Sequence, residues 1–397
     1  MKKFKMNILF VHKSLVVGGA ERILINYLNI LSGFNEFKVT LLLLENKGED
    51  NKNINQINKN INIDFILDNS ESRKYTEFEN KINQRSIFRK IYKYKLSKIN
   101  KIEENRIKKY IKNKEFDLIV NFNSHLDFFL SNNQINIPII RWIHGQAHLD
   151  DWCNRREWYQ NILPKHTYFF AITKEMQKNA QKILLSYGIQ EERIHILYNP
   201  IDINFIQEQS IKNTHDIHHK QYLINVSRLD IDKNHEQMIN IYYQLKKRGI
   251  QEKLYIVWDG ECREKLEKQI ESLNLQEDCF LLGNKDNPYP LIKNAKLFLH
   301  TSLKEGLPTV ILESMACGTP VISMDCPTGP KEILRGGEFR GLVNLGDENA
   351  FIQKTLSFLQ NQDEYNHYCN KLEQAISPFR FEEISTILLS HLQKFNS

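Results

Sequence analysis

Leu297-Phe-Leu-His300-Thr-Ser-Leu-Lys-Glu305-Gly-Leu-Pro-Thr-Val-Ile-Leu-Glu313-Ser-Met-Ala-Cys-Gly318-Thr-Pro-Val-Ile-Ser323 reads as a strand, a loop, a helix and a second strand. The run Leu297–His300 is short and apolar, as a strand buried on both faces should be. Lys304–Leu307 is the loop, Pro308 suits the first position of a helix, and Val321–Ser323 is the next strand. A strand that returns through a helix lies parallel to its predecessor. Glu305 is then held at the carboxyl end of a strand. Glu313 lies one to two turns inside the helix, roughly 7–8 Å along its axis from Pro308. Two carboxylates at different depths beside a helix N-terminus suit a ligand with hydroxyls at two levels and an anion between them. The N–H groups near Gly306–Thr309 would take the anion. Taken alone, the two Glu could equally complement the helix dipole or face water.

The same cadence runs outward through the 397 residues. Apolar runs at 6–12, 37–44, 63–67, 117–122, 138–143, 168–173 and 194–198 read as strands with helical stretches between several of them. A loop reaching Gly18-Gly19 leads into a helical repeat of Ile23, Tyr27, Ile30 and Leu31, with Gly33 at its C-cap position. A second series follows at 222–226, 254–257, 279–282, 297–300 and 321–323. The fold class is α/β, with two parallel-sheet domains. The expected boundaries are 1–200, a polar linker at 201–220, and 221–378, with a C-terminal helix at 379–395 packing back on the first half. His215, His218 and His219 cluster in the linker, but no Cys or carboxylate set completes a metal site there.

With 41% hydrophobic and 26% charged residues the chain is neither disordered nor a membrane bundle. The net charge of +6 comes from one segment: residues 81–114 hold 13 Lys/Arg and two acids, leaving the rest net acidic. Six scattered cysteines with no C-x-x-C pair point to a reducing compartment and exclude a zinc ribbon. The N-terminal apolar run is too short for a signal peptide, and no stretch reads as a spanning helix. The expected location is cytoplasmic, or peripheral on the inner face of the plasma membrane.

Glu305-Gly-Leu-Pro with Glu313 eight residues on, followed by Ala-Cys-Gly-Thr-Pro-Val-Ile322, resembles the donor-site signature of retaining GT-B glycosyltransferases. More narrowly it is similar to the group-1 (family 4) nucleotide-sugar transferases. Further matches fall in order: Gly18-Gly-Ala-Glu-Arg22, Ser227-Arg-Leu-Asp-Ile-Asp-Lys233-Asn, Val257-Trp-Asp-Gly-Glu261 and Leu282-Gly283. Trp258 departs from the family, which carries Gly there, and puts the shape of that loop in question. The resemblance implies two Rossmann-like domains facing each other across a cleft, with acceptor bound by the first and donor by the second. It assigns Glu313 to ribose hydroxyls, Glu305 to the donor sugar, and Arg228 and Lys233 to the diphosphate. Gly306, Leu307, Pro308 and Thr309 form the donor loop. Gly18 and Gly19 would let backbone approach the phosphate. His144, closing Arg141-Trp-Ile-His144-Gly145, would lie near the donor sugar without serving as a general base. Transfer with retention would need no metal, coenzyme or enzyme nucleophile.

Arg228 and Lys233 follow a strand end and supply fixed cations for a departing diphosphate. Asp230-Ile-Asp232 spells the metal-binding D-x-D of another transferase fold, but within a cationic loop it reads as solvated. No P-loop and no G-x-G-x-x-G after the first strand are present. In the basic segment Ile87, Ile91, Leu96, Ile99, Ile102, Ile107 and Ile111 alternate with Lys, Arg and Tyr, giving a helix with apolar and cationic faces. It either docks on an anionic membrane surface or packs as an ordinary basic surface helix; no nucleic-acid motif accompanies it. The expected partners are a nucleotide-sugar donor, UDP-linked, and a lipooligosaccharide, polysaccharide or lipid-linked glycan acceptor. A nucleotide-sugar 2-epimerase of the same fold and a non-catalytic membrane scaffold are the alternatives.

Overall fold

The computed structural model describes residues 6–16, 18–83, 89–212 and 221–395. The chain divides into two compact units. The first comprises the residues up to Ile172, Gln177–Pro200 and the chain from Ser385; the second comprises Thr173–Met176 and Ile201–Ile384.

The first unit is built on a seven-stranded sheet: β1 (Met6–His12), β2 (Phe37–Glu45), β3 (Asn62–Leu67), β4 (Leu118–Asn121), β5 (Ile139–Ile143), β6 (Tyr168–Ala171) and β7 (Ile194–Ile196). The spatial order is β3-β2-β1-β4-β5-β6-β7, and every pairing is parallel. Ile8, Leu9, Phe10 and Val11 of β1 are all buried, because helices cover both faces of such a sheet. The helix α1 (Gly19–Ser32) buries Ile23, Leu24, Tyr27, Leu28 and Leu31. Its C-cap is Gly33, in a right-handed conformation.

Between β3 and β4 stand α2 (Asn69–Asn83) and α3 (Arg89–Lys112), which pack against each other. Arg106 of α3 forks onto both oxygens of Glu71 in α2. Phe78 and Tyr92 meet at 5.7 Å between ring centroids. Ile107 of α3 is buried. Residues 84–88, including the Ile87 of the amphipathic reading, lie outside the described residues.

The second unit carries six parallel strands: β8 (Tyr222–Val226), β9 (Lys253–Val257), β10 (Cys279–Gly283), β11 (Leu297–His300), β12 (Val321–Asp325) and β13 (Leu342–Asn344). Their order is β10-β9-β8-β11-β12-β13. In both sheets the strand order reverses beside the first strand, between β1 and β4 and between β8 and β11. Open α/β sheets bind ligands outside the carboxyl ends of the strands at such a reversal.

Three expectations need correction. The segment read as linker opens with a helix, Ile203–Ser210, capped by Asp202, whose carboxylate accepts from Phe205 N; Ile203 and Ile206 are buried. Its later part, with His215, His218 and His219, lies outside the described residues. β13 was not expected: three residues give no readable period. Pro308 is the N-cap of the helix Thr309–Ala316 and not its first residue. Among the described residues no helix is long and apolar enough to cross a membrane.

Candidate active site

In the second unit the loops after β8 and β11 are tied together at the reversal. Asn225, buried at the end of β8, donates to Leu299 O of β11 and accepts from the Ser227 hydroxyl. His235 Nε2 lies 3.1 Å from Asn225 Oδ1 and 3.0 Å from Ser227 Oγ, fixing the far end of the β8 loop. Burial pushes His235 down to about 4, so the imidazole is neutral. Leu303 N donates to Asp232 O at 2.7 Å, and the Thr301 hydroxyl donates to Lys233 O.

This lacing brings Lys233 to Glu305. Lys233 Nζ is 2.7 Å from Glu305 Oε1, and His300 Nε2, at the end of β11, is 3.1 Å from the same oxygen. The carboxylate can only accept, so the imidazole donates to it. Ser323 Oγ of β12 stands 2.8 Å from His300 Nδ1 and fixes the ring. Burial alone would push the Glu305 carboxyl up. The His300 hydrogen bond and the Lys233 charge outweigh it and hold the group at about 2. Glu305 is therefore ionised throughout the physiological range.

The loop that carries Glu305 is gripped from the β12 side. The Thr328 hydroxyl donates to Glu305 O. Gly329 adopts φ 95, and a β-carbon there would sit 2.4 Å from Pro308 Cδ and 2.8 Å from Gly306 O. Only glycine combines that backbone with that approach. Gly306 is half-buried, Leu307 and Pro308 are buried, and Thr309 opens the helix that carries half-buried Glu313. Arg228 is placed in the same β8 loop but engages Asp230, Nη2 to Oδ2 at 3.1 Å, with its side chain 71% exposed. Asp230 of the D-x-D is thus the partner of Arg228, while Asp232 lends its backbone carbonyl to Leu303; no group of three or more His, Cys, Asp or Glu suited to a metal exists among the described residues.

In the first unit, four histidines gather at the carboxyl ends of β1, β4 and β5. His144 follows β5; its Nε2–H donates to Phe122 O at 3.2 Å and its backbone N–H to His148 Nδ1 at 3.4 Å. His148 Nε2 in turn meets Asn123 Oδ1 at 3.1 Å. The His144 ring lies 4.5 Å from Phe122. Burial, then the neighbouring His12, push His144 down to about 3. It is neutral, with Nδ1 left as an acceptor. His12 donates to Ser14 O and meets His125 edge-on at 4.4 Å. Burial pushes His12 down to about 4.

Gly18 is the N-cap of α1 in an extended conformation that any residue adopts. A β-carbon on Gly18 would meet the Glu21 carboxylate, and one on Gly19 would meet nothing within 4 Å. The open space at Gly19 is what the close-approach expectation needs; no left-handed backbone is involved. Sequence reasoning missed His300, Ser323, Thr328 and Gly329. Only His300 left a readable signal, a polar residue ending a buried apolar strand.

Residues 17–205 match the family model described as Glycosyltransferase Family 4, and residues 206–375 match that described as Glycosyl transferases group 1. The chain is 31% identical over 215 residues to the N-acetylgalactosamine-N,N'-diacetylbacillosaminyl-diphospho-undecaprenol 4-alpha-N-acetylgalactosaminyltransferase of Campylobacter jejuni. That alignment covers 54% of this chain and spans little more than half of the relative, 57%. A second Campylobacter jejuni protein, the GalNAc-alpha-(1->4)-GalNAc-alpha-(1->3)-diNAcBac-PP-undecaprenol alpha-1,4-N-acetyl-D-galactosaminyltransferase, is 23% identical over 383 residues, 96% of each chain. Among solved structures, Anabaena HepE in complex with UDP superposes with a TM-score of 0.74 at 19% identity, covering 98% of this chain and 100% of that one. Two parallel-sheet units, each with a strand-order reversal beside its first strand, and two family matches that abut at residues 205 and 206 agree: the chain belongs to the group-1 and family 4 glycosyltransferases and has the GT-B fold.

Proposed function

We propose that the protein is a retaining, metal-independent glycosyltransferase that moves a sugar from a UDP-sugar to a glycan or lipid-linked acceptor. The observation that carries this reading is the Lys233–Glu305–His300 constellation at the β8/β11 reversal. Lys233 and Arg228 supply fixed positive charge for a diphosphate as its bond to the anomeric carbon breaks. Glu305, held at about 2, is too weak a base to take a proton from an acceptor hydroxyl and instead accepts hydrogen bonds from the sugar. His144, neutral with a bare Nδ1, likewise offers an acceptor to a sugar hydroxyl. The acceptor oxygen bonds the anomeric carbon on the face the diphosphate leaves. Its proton passes to an oxygen of the departing phosphate, so no protein nucleophile is required.

The choice of UDP is supported by the UDP complex of HepE, and that of a lipid-linked acceptor by the Campylobacter relatives named for diphospho-undecaprenol substrates. A thermal-shift panel of UDP, GDP and ADP on wild type and Arg228→Ala/Lys233→Ala tests the donor site. Saturation at 100 times the dissociation constant gives about 2.7 kcal/mol. A shift with UDP that the double variant loses is expected; a shift with no nucleotide, or one kept by the double variant, would remove these cations from the reading. NMR of the product's anomeric configuration tests retention.

The acceptor side draws on α3. Ile91, Tyr94, Lys98, Lys101, Ile102 and Lys109 recur at helical spacing on the face away from Ile107, and all are exposed. That stripe carries no acid, and Lys98 Nζ lies 4.6 Å from the Tyr94 ring. An outward face of cations and apolar side chains fits an anionic bilayer, which contributes about 1 kcal/mol per Lys or Arg near the surface. Neutralising Lys90, Lys93, Lys95, Lys98 and Lys101 should release the protein from phosphatidylglycerol vesicles in a sedimentation assay. Unchanged sedimentation would leave α3 an ordinary surface helix.

A further inference from the structure

Trp258 stands where the backbone leaves β9, at φ 114. The other six non-glycine residues with positive φ among those described fall between 46 and 63, in the narrow left-handed well that a side chain tolerates. A φ of 114 belongs to glycine, and such a conformation persists in a bulky residue only where its surroundings impose it. Here they do. Trp258 N donates to Gly283 O at 2.9 Å, Ser227 N to Val257 O at 3.1 Å and Leu229 N to Asp259 O at 3.1 Å. Gly260 presses so closely that a β-carbon would lie 2.5 Å from Leu229 O.

Among the described residues the indole makes none of the ring or cation–π contacts that hold the other tryptophans. Trp142 and Trp152 are buried in aromatic clusters, and Trp158 lies under the Arg155 guanidinium at 4.0 Å. Trp258 is half-buried, and among the described residues it has no ring contact, no cation–π partner and no side-chain hydrogen bond. Its loop is laced, through Ser227 and Leu229, to the two residues that flank Arg228. An indole with no ring or polar partner is thus carried on the carboxyl edge of the sheet, one strand from the loop of Arg228 and Lys233.

We infer that Trp258 is a stacking platform for the nucleobase of the nucleoside diphosphate. This rests on the donor reading above and adds the part of the ligand that Lys233 and Glu305 do not address. Of the pieces of a nucleotide sugar, only the base has a π face; diphosphate, ribose and hexose have none. Stacking on an aromatic ring is tolerant of base identity. Trp258 therefore sets affinity for nucleotides in general, and the choice of uracil is made elsewhere.

Titration calorimetry with UDP, ADP and inorganic pyrophosphate on wild type, Trp258→Phe, Trp258→Ala and Lys233→Ala separates the two claims. Removing a stacking ring costs roughly 5- to 150-fold in affinity. Trp258→Ala should lose that factor for UDP and ADP alike while pyrophosphate binds as before; Trp258→Phe should keep most of it. Lys233→Ala should weaken all three ligands. UDP should quench tryptophan emission in wild type and not in Trp258→Phe. UDP binding to Trp258→Ala at wild-type strength, with Lys233→Ala impaired, would overturn the platform and leave the donor site standing. UDP and pyrophosphate indifferent to Lys233→Ala would remove the donor site and the platform with it. Should Trp258→Ala misfold, Trp258→Gly, which suits the backbone, carries the same comparison.

Discussion

Lys233 and Glu305, 72 residues apart in the chain, meet at 2.7 Å across the point where the strand order of the second sheet reverses. The β8 and β11 loops are bonded backbone to backbone and through Thr301, so the pair is built into the sheet's edge. Removing the carboxylate therefore alters chemistry more than fold. Glu305→Gln should lower kcat/KM about 100- to 1,000-fold, the usual effect of losing one preorganised electrostatic contact. Circular dichroism should remain that of wild type.

Acidification tests the same carboxylate. Its folded value of about 2 lies below the ordinary 4.5, so its contribution to stability is complete above pH 4.5 and is lost as pH falls towards 2. The stability difference between wild type and Glu305→Gln, from urea denaturation, should be constant from pH 5 to 8 and shrink below about pH 4.5.

The buried histidines have the opposite chemistry but the same direction in pH. Burial holds His12 at about 4 and His166 at about 3, both below the ordinary 6.5. The unfolded chain takes up their protons first. Stability is full above pH 6.5 and declines as pH falls towards 3, by about 1.4 kcal/mol per pH unit for each such group. Differential scanning calorimetry should show Tm falling steeply between pH 6.5 and 4.5, and more gently in His166→Asn.

Gly329→Ala should destabilise the second unit by about 2 kcal/mol or more, since φ 95 is strained for alanine and the new methyl would overlap Pro308 and Gly306. The displaced loop carries Glu305, so donor affinity should fall along with Tm. A variant with wild-type Tm and UDP binding would show that the loop gives way freely.

At Trp258 the two small replacements should differ from each other. Trp258→Gly should be more stable than Trp258→Ala by about 1 kcal/mol, because only glycine takes φ 114 without cost. Equal melting temperatures would mean that the loop relaxes once the indole is gone.

Much of this arrangement could be read from sequence. Arg228, Lys233 and Glu305 each follow a buried apolar run, and charge at the end of a parallel strand has few uses other than a ligand. What escaped depended on distant neighbours. Cys326-Pro-Thr-Gly-Pro330 reads as a turn, but the need for Gly329 comes from Pro308, twenty-odd residues earlier. His300 shows in the sequence only as a polar end to an apolar strand, and its role appears once Ser323 and Glu305 are folded against its two nitrogens. The helix after Pro200 was missed for a local reason: Asp202 is an ordinary N-cap, but the polar, His-rich residues beyond it masked the short apolar repeat of Ile203 and Ile206.

Lys233 has its countercharge within reach. A diphosphate arriving alone must compete with a carboxylate already in place, and binds the more weakly for it. A ligand that brings phosphate for the lysine and hydroxyls for the carboxylate satisfies both groups as it separates them. The ion pair thus behaves as a lock with two wards, turned partway by a bare diphosphate and fully by a molecule that carries charge and sugar together.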